Sequence, residues 1–126
     1  MMISGEEYES FLTLVKKTAI LQVPALVLQA DYRTVARFPC KLKEIWLEQI
    51  RKMSERLAEK ESESRKALRR MGGRIIAVKQ TPDHREIEAE LHGFLYKEKL
   101  LNEWIKVECM REAQTLLGEA YGVQSE

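Results

Sequence analysis

A long charged helix, predicted over residues 41–71, is the feature that most constrains how this chain folds. Its apolar residues recur at steps of four, three and four, which places them on one helical face; they are Trp46, Ile50, Met53 and Leu57. The Gly72-Gly73 pair, the only one in the chain, ends the helix. An apolar face of this kind packs against another element, so the helix predicts architecture and not chemistry.

Polar residues interrupt this apolar face between Lys60 and Ser64, and it resumes at Ala67 or Leu68 and at Met71. A continuous helix of this length extends about 45 Å, which exceeds the width of a domain of 126 residues. We therefore expect part of the helix to project beyond the domain or to pack against a second copy of the chain.

The composition predicts a single domain over residues 1–126, soluble and rich in helix. Hydrophobic residues make up 44% and charged residues 33% of the chain, in a mixture too even for disorder. The net charge of +1 gives no overall attraction to nucleic acid or to a membrane. Since no leader is visible and the most apolar stretch, residues 19–28, is too short to span a bilayer, we expect a cytoplasmic protein without membrane contact.

The first forty residues predict a kinked pair of short helices. Ser4 followed by Glu7 is a capping box at the start of the first helix. Pro24 lacks a backbone N–H and clashes with the preceding turn, so a kink or break is expected near residues 22–23. Residues 38–40 are expected to form a packed corner that leads into the long helix.

Two interpretations remain open after the glycine pair. Residues 74–78 are β-branched and bounded by breakers, which predicts a strand. The following residues 81–84 suit either a turn into a second strand or the N-terminus of a helix. Because a lone strand leaves its backbone groups unpaired, we predict a β-hairpin over residues 74–92 and a predominantly helical α+β fold.

The last helix is predicted to start at about residue 96. One apolar face runs along it through Leu101, Ile105, Cys109, Ala113, Leu116 and Ala120. Residues 122–126 are expected to form a loose tail. The predicted fold thus ends with a C-terminal helix that covers the rest of the core.

No residue pattern indicates a metal, a cofactor or a catalytic group. His84 and His92 are the only histidines and no cysteine lies near either, whereas structural zinc needs four closely spaced ligands. Cys40, beside lysines at a helix start, is the one candidate nucleophile, and Cys109 has the position of a small core residue. We therefore expect a protein that is not an enzyme and that binds no cofactor.

Basic residues cluster around the end of the long helix, with no acidic residue among them. They are Arg65, Lys66, Arg69, Arg70 and Arg74. Nucleic-acid phosphates bind to clusters of this kind, so these residues are candidate phosphate contacts. Cations also stabilise the C-terminal dipole of a helix, and Arg65 can pair with Glu61 one turn earlier, which explains the cluster without nucleic acid.

Four short segments spread over most of the chain carry a resemblance to a known family. They are Val23-Pro24-Ala25-Leu26, Asp31-Tyr32-Arg33, Phe38-Pro39-Cys40-Lys41-Leu42-Lys43 together with Ile50, and Leu95-Tyr96-Lys97. These segments resemble the YhjD-type family of short proteins from Bacillus-type Gram-positive bacteria. The resemblance implies a β-rich stretch in the region of the predicted hairpin, and it implies no activity and no site residues.

These patterns together favour a function in protein–protein interaction. The interrupted apolar face of the long helix suggests self-association, as in a homodimer, and the sequence offers no catalytic constellation. The alternative is a nucleic-acid-binding regulator that uses the basic cluster at residues 65–74.

Overall fold

Two long antiparallel helices form the framework of the molecule. The computed structural model describes residues 4–120, and the tail predicted at residues 122–126 lies outside them. Helix α1 spans Gly5–Arg37 and helix α2 spans Lys43–Arg70. These two helices share a more extensive contact than any other pair of helices in residues 4–120. The long charged helix predicted from the sequence is therefore confirmed.

One continuous helix replaces the two that the sequence predicts before the corner. The backbone N–H of Glu7 donates to the Ser4 hydroxyl at 3.1 Å, as the capping box predicts. Pro24 lies inside the helix and is buried, so the predicted division into two helices is wrong. A proline removes one backbone hydrogen bond, but Leu21 and Leu28 on either side are buried, and this packing outweighs the loss.

A three-stranded antiparallel sheet follows α2 within the described residues. Strands β1, β2 and β3 span Gly73–Gln80, His84–Leu91 and Phe94–Leu101, and they are ordered β1-β2-β3 in the sheet. The hairpin predicted over residues 74–92 is confirmed. Its turn is closed by the backbone N–H of Thr81, which donates to the His84 carbonyl at 2.8 Å.

The third strand corrects the predicted start of the last helix. Residues 96–101 belong to β3, and helix α3 spans Asn102–Ala120. His92 and Gly93, with φ of 51° and 86°, connect β2 to β3. Two successive residues of positive φ are typical of the tightest hairpin turns, and Gly93 adopts such a φ without steric cost.

Opposite charges stabilise the outer face of the sheet. In the register of the sheet, Glu86 lies opposite Lys79 and Lys99, Glu88 opposite Lys97, and Glu90 opposite Arg74. Cross-strand pairs of opposite charge favour strand pairing. Because each glutamate of the central strand meets a cation on at least one neighbour, this segment forms a strand despite the low β-propensity of glutamate.

The buried apolar side chains of the described residues form two clusters. The first lies between α1 and the inner face of the sheet and includes Phe11, Val15, Leu68, Ile87 and Leu91. The second lies where the three helices meet and contains Leu21, Leu28, Met53, Leu57 and Leu116. Met53 and Leu57 are therefore buried, as their spacing predicts.

The polar interruption of the α2 apolar face is satisfied by the neighbouring helices. The hydroxyl oxygens of Ser64 and Thr18 lie 2.5 Å apart, and both side chains are buried. Lys60 Nζ lies 2.9 Å from a carboxylate oxygen of Glu112 and 2.9 Å from one of Glu119, both in α3. The chain itself therefore covers this part of α2, and a partner is not needed there.

Helix α1 has the length and the composition of a segment that could cross a membrane. Its most apolar window has a mean hydropathy of 1.6, and 39% of that window is buried. The helix continues through Pro24, so its apolar part is longer than the stretch of residues 19–28 that the sequence suggests. Core helices of soluble proteins have the same properties, and α1 contributes buried residues to both core clusters.

Candidate interaction surfaces

The structure divides the predicted basic cluster between a small cleft and open surface. Arg65, Arg69 and Arg74 line a cleft of about 180 Å³ between the end of α2 and the start of β1. Lys66 and Arg70 are exposed and do not line this cleft. The fold thus brings three of the five candidate residues together.

Carboxylates neutralise part of this basic cleft. Arg65 Nε donates to Glu61 Oε1 at 2.9 Å, as the one-turn spacing predicts, and Arg74 Nε donates to Glu90 on the neighbouring strand. Among residues 4–120, Arg69 has no carboxylate partner. Two of the three guanidinium groups are therefore already paired, which lowers the positive potential that a phosphate would meet.

The corner between α1 and α2 is exposed. From residue 29 to residue 52 no side chain is buried. We call this segment the hairpin tip, because α1 and α2 form a helical hairpin that turns here; it is distinct from the β-hairpin of the sheet. Five of its large apolar side chains are between 39% and 59% exposed; they are Tyr32, Phe38, Leu42, Ile45 and Trp46. The packed corner predicted at residues 38–40 is therefore wrong, and Cys40 is exposed as well.

The hairpin tip is exposed because the other described elements end before they reach it. Near the end of α3, Glu119 Oε2 lies 3.1 Å from Arg56 Nε in α2. Between Arg56 and its first residue, Lys43, helix α2 extends about 20 Å further towards the corner, since each residue of a helix adds about 1.5 Å. The sheet lies still farther back, where Arg85 of β2 donates to Gln22 of α1 at 3.4 Å.

The inner face of α3 follows the predicted spacing with one exception among the side chains that the structure describes, and the side chain of Ala120 lies outside them. Ile105 and Leu116 are buried, and Cys109 and Ala113 are half-buried. Leu101, which the sequence places on the same face, lies in β3 and is 62% exposed. The exception follows from the third strand, which takes Leu101 out of the helix.

A second apolar row lies on the outer face of α3. Val107, Met110 and Leu117 are 54%, 59% and 39% exposed, and Gln114 lies between the last two. These four residues follow steps of three, four and three, which places them on one helical face. We call this row the α3 seam. The sequence contains this spacing, but spacing alone does not show that the row faces solvent.

A second cleft, of about 570 Å³, lies between the three helices and is lined by residues of α1, α2 and α3. Several of its charged side chains are paired: Lys60 contacts Glu112 in the cleft and Glu119 beside it, and Arg111 donates to Glu108 at 3.1 Å. The hydrogen bond from Lys60 lowers the pKa of Glu119. Partial burial favours the neutral amine of Lys60, but hydrogen bonds to both carboxylates outweigh it and raise its pKa. Both groups therefore stay charged near neutral pH, and neither suits proton transfer.

The two cysteines lie in different environments. Cys40 is exposed at the hairpin tip, and Cys109 is half-buried in α3. Burial raises the pKa of the Cys109 thiol, which keeps it protonated and a poor nucleophile. Cys40 lies in the corner between α1 and α2, outside both helices.

The histidines contact carboxylates at the ends of strands. The His84 ring nitrogens lie 2.8 Å from Asp83 Oδ1 and 3.0 Å from Glu86 Oε1, and the hydrogen bond to Glu86 is the main cause of its raised pKa. His92 Nε2 lies 2.6 Å from Glu7 Oε1 at the start of α1. The part of the chain that the structure describes contains no group of three or more histidine, cysteine, aspartate or glutamate side chains that could hold a metal ion.

A comparison with known protein families gives a match. The family model described as YhjD protein matches residues 6–121, which is most of the chain. The chain belongs to the YhjD family. This match confirms the resemblance carried by the four segments of the sequence. No curated protein and no solved structure matches the chain.

The YhjD match includes each candidate surface of this chain. The hairpin tip, the basic cleft and the α3 seam all lie inside residues 6–121. The three surfaces are therefore parts of one YhjD-family unit, and each has a different chemistry. The tip is apolar and basic, the cleft is lined by arginine, and the seam is an apolar row on a helix.

Proposed function

We propose that this YhjD-family chain is a small non-enzymatic protein that acts by protein–protein interaction, and that it binds a second copy of itself. The α3 seam carries the proposal. Single exposed apolar side chains are common on protein surfaces, but a helical row with steps of three, four and three is the arrangement by which two helices pack. Three of its four side chains are apolar and at least 39% exposed.

The charges beside the seam favour a second copy as the partner. Glu103, Lys106 and Arg111 are exposed on the same helix, so both signs of charge border the apolar row. In a two-fold arrangement the same surface meets itself, and a surface of mixed charge does so without net repulsion. The long helix α2 contributes less than the sequence suggests, because its own chain covers it beyond the hairpin tip.

The state of the titratable groups supports a role without catalysis. At the interhelical cleft Lys60 and Glu119 neutralise each other, and the pKa of Cys109 is raised. A general acid or base needs a pKa near the working pH, and a nucleophilic thiol needs a lowered one. These groups therefore suit ion pairing and packing, and we expect no cofactor.

Replacement of two seam residues tests the self-association. Val107→Ser/Met110→Ser is expected to weaken the dimer at least about a hundredfold, because each dimer loses the burial of four apolar side chains. Full burial of one such side chain contributes about 1.5–3 kcal/mol, and partial burial in the dimer contributes a fraction of that. Light scattering after size-exclusion chromatography, at micromolar concentrations, measures the mass. Leu42→Ser/Ile45→Ser, at the hairpin tip, is the matched control and is expected to leave the mass unchanged. An unchanged mass in the seam variant contradicts the proposal.

A second candidate function is that of a nucleic-acid-binding regulator. The observation that favours it is the basic cleft, in which Arg65, Arg69 and Arg74 meet beside the first strand of the sheet. Phosphate oxygens bind to such groups of guanidinium ions. The pairing of Arg65 with Glu61 and of Arg74 with Glu90 weighs against it.

Retention on heparin or on mixed duplex DNA tests this second function. If the cleft binds phosphates, retention of the wild-type chain falls steeply with salt, and Arg69→Glu/Arg70→Glu lowers it further. Arg37→Glu/Lys41→Glu, which removes equal charge from the hairpin tip, is the control and should leave retention on duplex DNA intact. A wild-type chain that is not retained at low salt has no such function.

A further inference from the structure

The hairpin tip concentrates positive charge as well as apolar surface. Residues 29–52 contain six lysine or arginine residues and three aspartate or glutamate residues, whereas the rest of the chain contains fifteen and seventeen. Residues 33–43 contain four cations and no carboxylate. The overall net charge of +1 thus hides a basic end on an otherwise slightly acidic chain.

The exposed apolar side chains of the tip lie on the same corner of the chain as these cations. Phe38, Leu42, Ile45 and Trp46 are between 49% and 59% exposed at the corner where α1 ends and α2 begins. The four cations of the same corner are Arg33, Arg37, Lys41 and Lys43. A protruding end that is both apolar and basic differs from the α3 seam, where charges of both signs border the apolar row.

The corner has a defined backbone conformation. The backbone N–H of Cys40 donates to the Phe38 carbonyl at 2.9 Å. The ammonium group of Lys43 donates to the Ala36 carbonyl at 3.1 Å and so satisfies a free carbonyl in the last turn of α1. These contacts hold the backbone of the corner in one conformation.

We propose that the hairpin tip docks on the surface of a membrane that contains anionic phospholipid. A convex end with phenylalanine, tryptophan and aliphatic side chains fits the boundary between headgroups and acyl chains, where tryptophan is enriched. Lysine and arginine place their stems along the apolar layer while their charges reach the phosphates. A membrane with anionic phospholipid offers both an apolar layer and a negatively charged surface, and these match the two kinds of side chain at the tip.

The charge of the tip favours a membrane over a second copy of the chain. Two tips in contact bring eight cations of residues 33–43 together, and this repulsion is absent when the tip meets an anionic surface. The expectation of no membrane contact rests on the net charge of the whole chain and on the lack of a spanning segment. Peripheral docking requires only a local basic and apolar surface.

Flotation with lipid vesicles tests the docking. We expect the wild-type chain to float with vesicles of phosphatidylcholine and phosphatidylglycerol at low salt, and not with vesicles of phosphatidylcholine alone. Increasing salt should weaken the binding, because it screens the charges. In a Trp104→Phe variant Trp46 is the only tryptophan, and its emission should shift to shorter wavelength when anionic vesicles are added.

Variants at the tip separate the contributions of charge and apolar surface. Arg37→Gln/Lys41→Gln is expected to lower the partition coefficient on anionic vesicles about thirtyfold, and Leu42→Ser/Ile45→Ser at least as much. Lys66→Gln/Arg70→Gln removes equal charge at the other end of α2 and should bind like the wild type. Circular dichroism confirms that each variant is folded.

Two results would overturn the proposal. One is a wild-type chain that does not float with anionic vesicles at low salt, and the other is equal binding by the tip variants and the wild type. A tip variant that loses self-association, in a chain that never binds vesicles, assigns the tip to a protein partner instead. The mass of the seam variant tests the dimer, and the flotation of the tip variants tests the docking, so the failure of one surface is distinguishable from the failure of the other.

Discussion

Phe11→Ala is expected to lower the free energy of unfolding by about 3–5 kcal/mol, the range for truncation of a buried phenylalanine. Phe11 is 1% exposed and lies where α1 meets the sheet. Its ring packs edge-on against Tyr96 of β3, with 5.8 Å between the ring centroids. A methyl group at Gly73 of β1 would lie 3.1 Å from the Phe11 ring, so the ring fills the space beside this glycine.

Tyr8→Ala is the matched control for this change. Tyr8 also packs edge-on against Tyr96, with 6.1 Å between centroids, but it is 43% exposed. Tyr8→Ala is expected to lower the free energy of unfolding by about 1 kcal/mol, which is the contribution of one aromatic pair. Denaturant unfolding curves of the two variants give the comparison. Equal losses in both would contradict the packing of the sheet on this end of α1.

Leu57→Ala is expected to lower the free energy of unfolding by about 2–5 kcal/mol, a large share of the stability of a typical domain. Leu57 is 1% exposed and belongs to the cluster in which α1 contributes Leu21 and α3 contributes Leu116. Truncation removes contacts to both neighbouring helices and leaves a cavity between them. The same denaturant unfolding experiment measures the loss.

Glu55→Ala, two residues away, is the control on the exposed face of α2. This variant is expected to unfold within about half a kcal/mol of the wild type, because exposed side chains without special contacts contribute little. If Leu57→Ala is as harmless as Glu55→Ala, the apolar face of α2 is not part of a core. The three-helix packing derived from it would then be wrong.

The long helix and its buried face are predictable from the sequence because local signals agree there. The spacing of Met53 and Leu57, the flanking charges and the glycine pair all point to one helix with one buried face. The Ser4 cap is predictable for the same reason. The first hairpin is predictable on a different ground, because its local pattern also suits a helix and only the need of the first strand for a pairing partner favours two strands.

The continuous α1 and the strand β3 depend on distant contacts, and the sequence predicts them incorrectly. Pro24 favours a break locally, but packing on α2 and α3 holds the helix together through it. Residues 96–101 have acceptable helical spacing, but they form a strand instead. Their backbone groups pair with the free edge of β2, and their lysines lie opposite its glutamates. Pairing and packing of this kind are not contained in a local pattern.

The candidate surfaces are only partly predictable. The basic residues of the cleft are visible in the sequence, but their pairing with Glu61 and Glu90 follows from the fold. Apolar spacing marks Val107 as part of a helical face without showing that this face is exposed. The exposure of the hairpin tip depends on where α3 and the sheet end, which is a property of the whole structure.

Sedimentation equilibrium of the wild-type chain tests the central claim, self-association through the α3 seam, most directly. We predict that the average mass rises with concentration in the micromolar range and reaches that of a dimer. We also predict that Val107→Ser/Met110→Ser keeps the mass of one chain over the same range. A wild-type chain that remains a monomer at every concentration would contradict the claim.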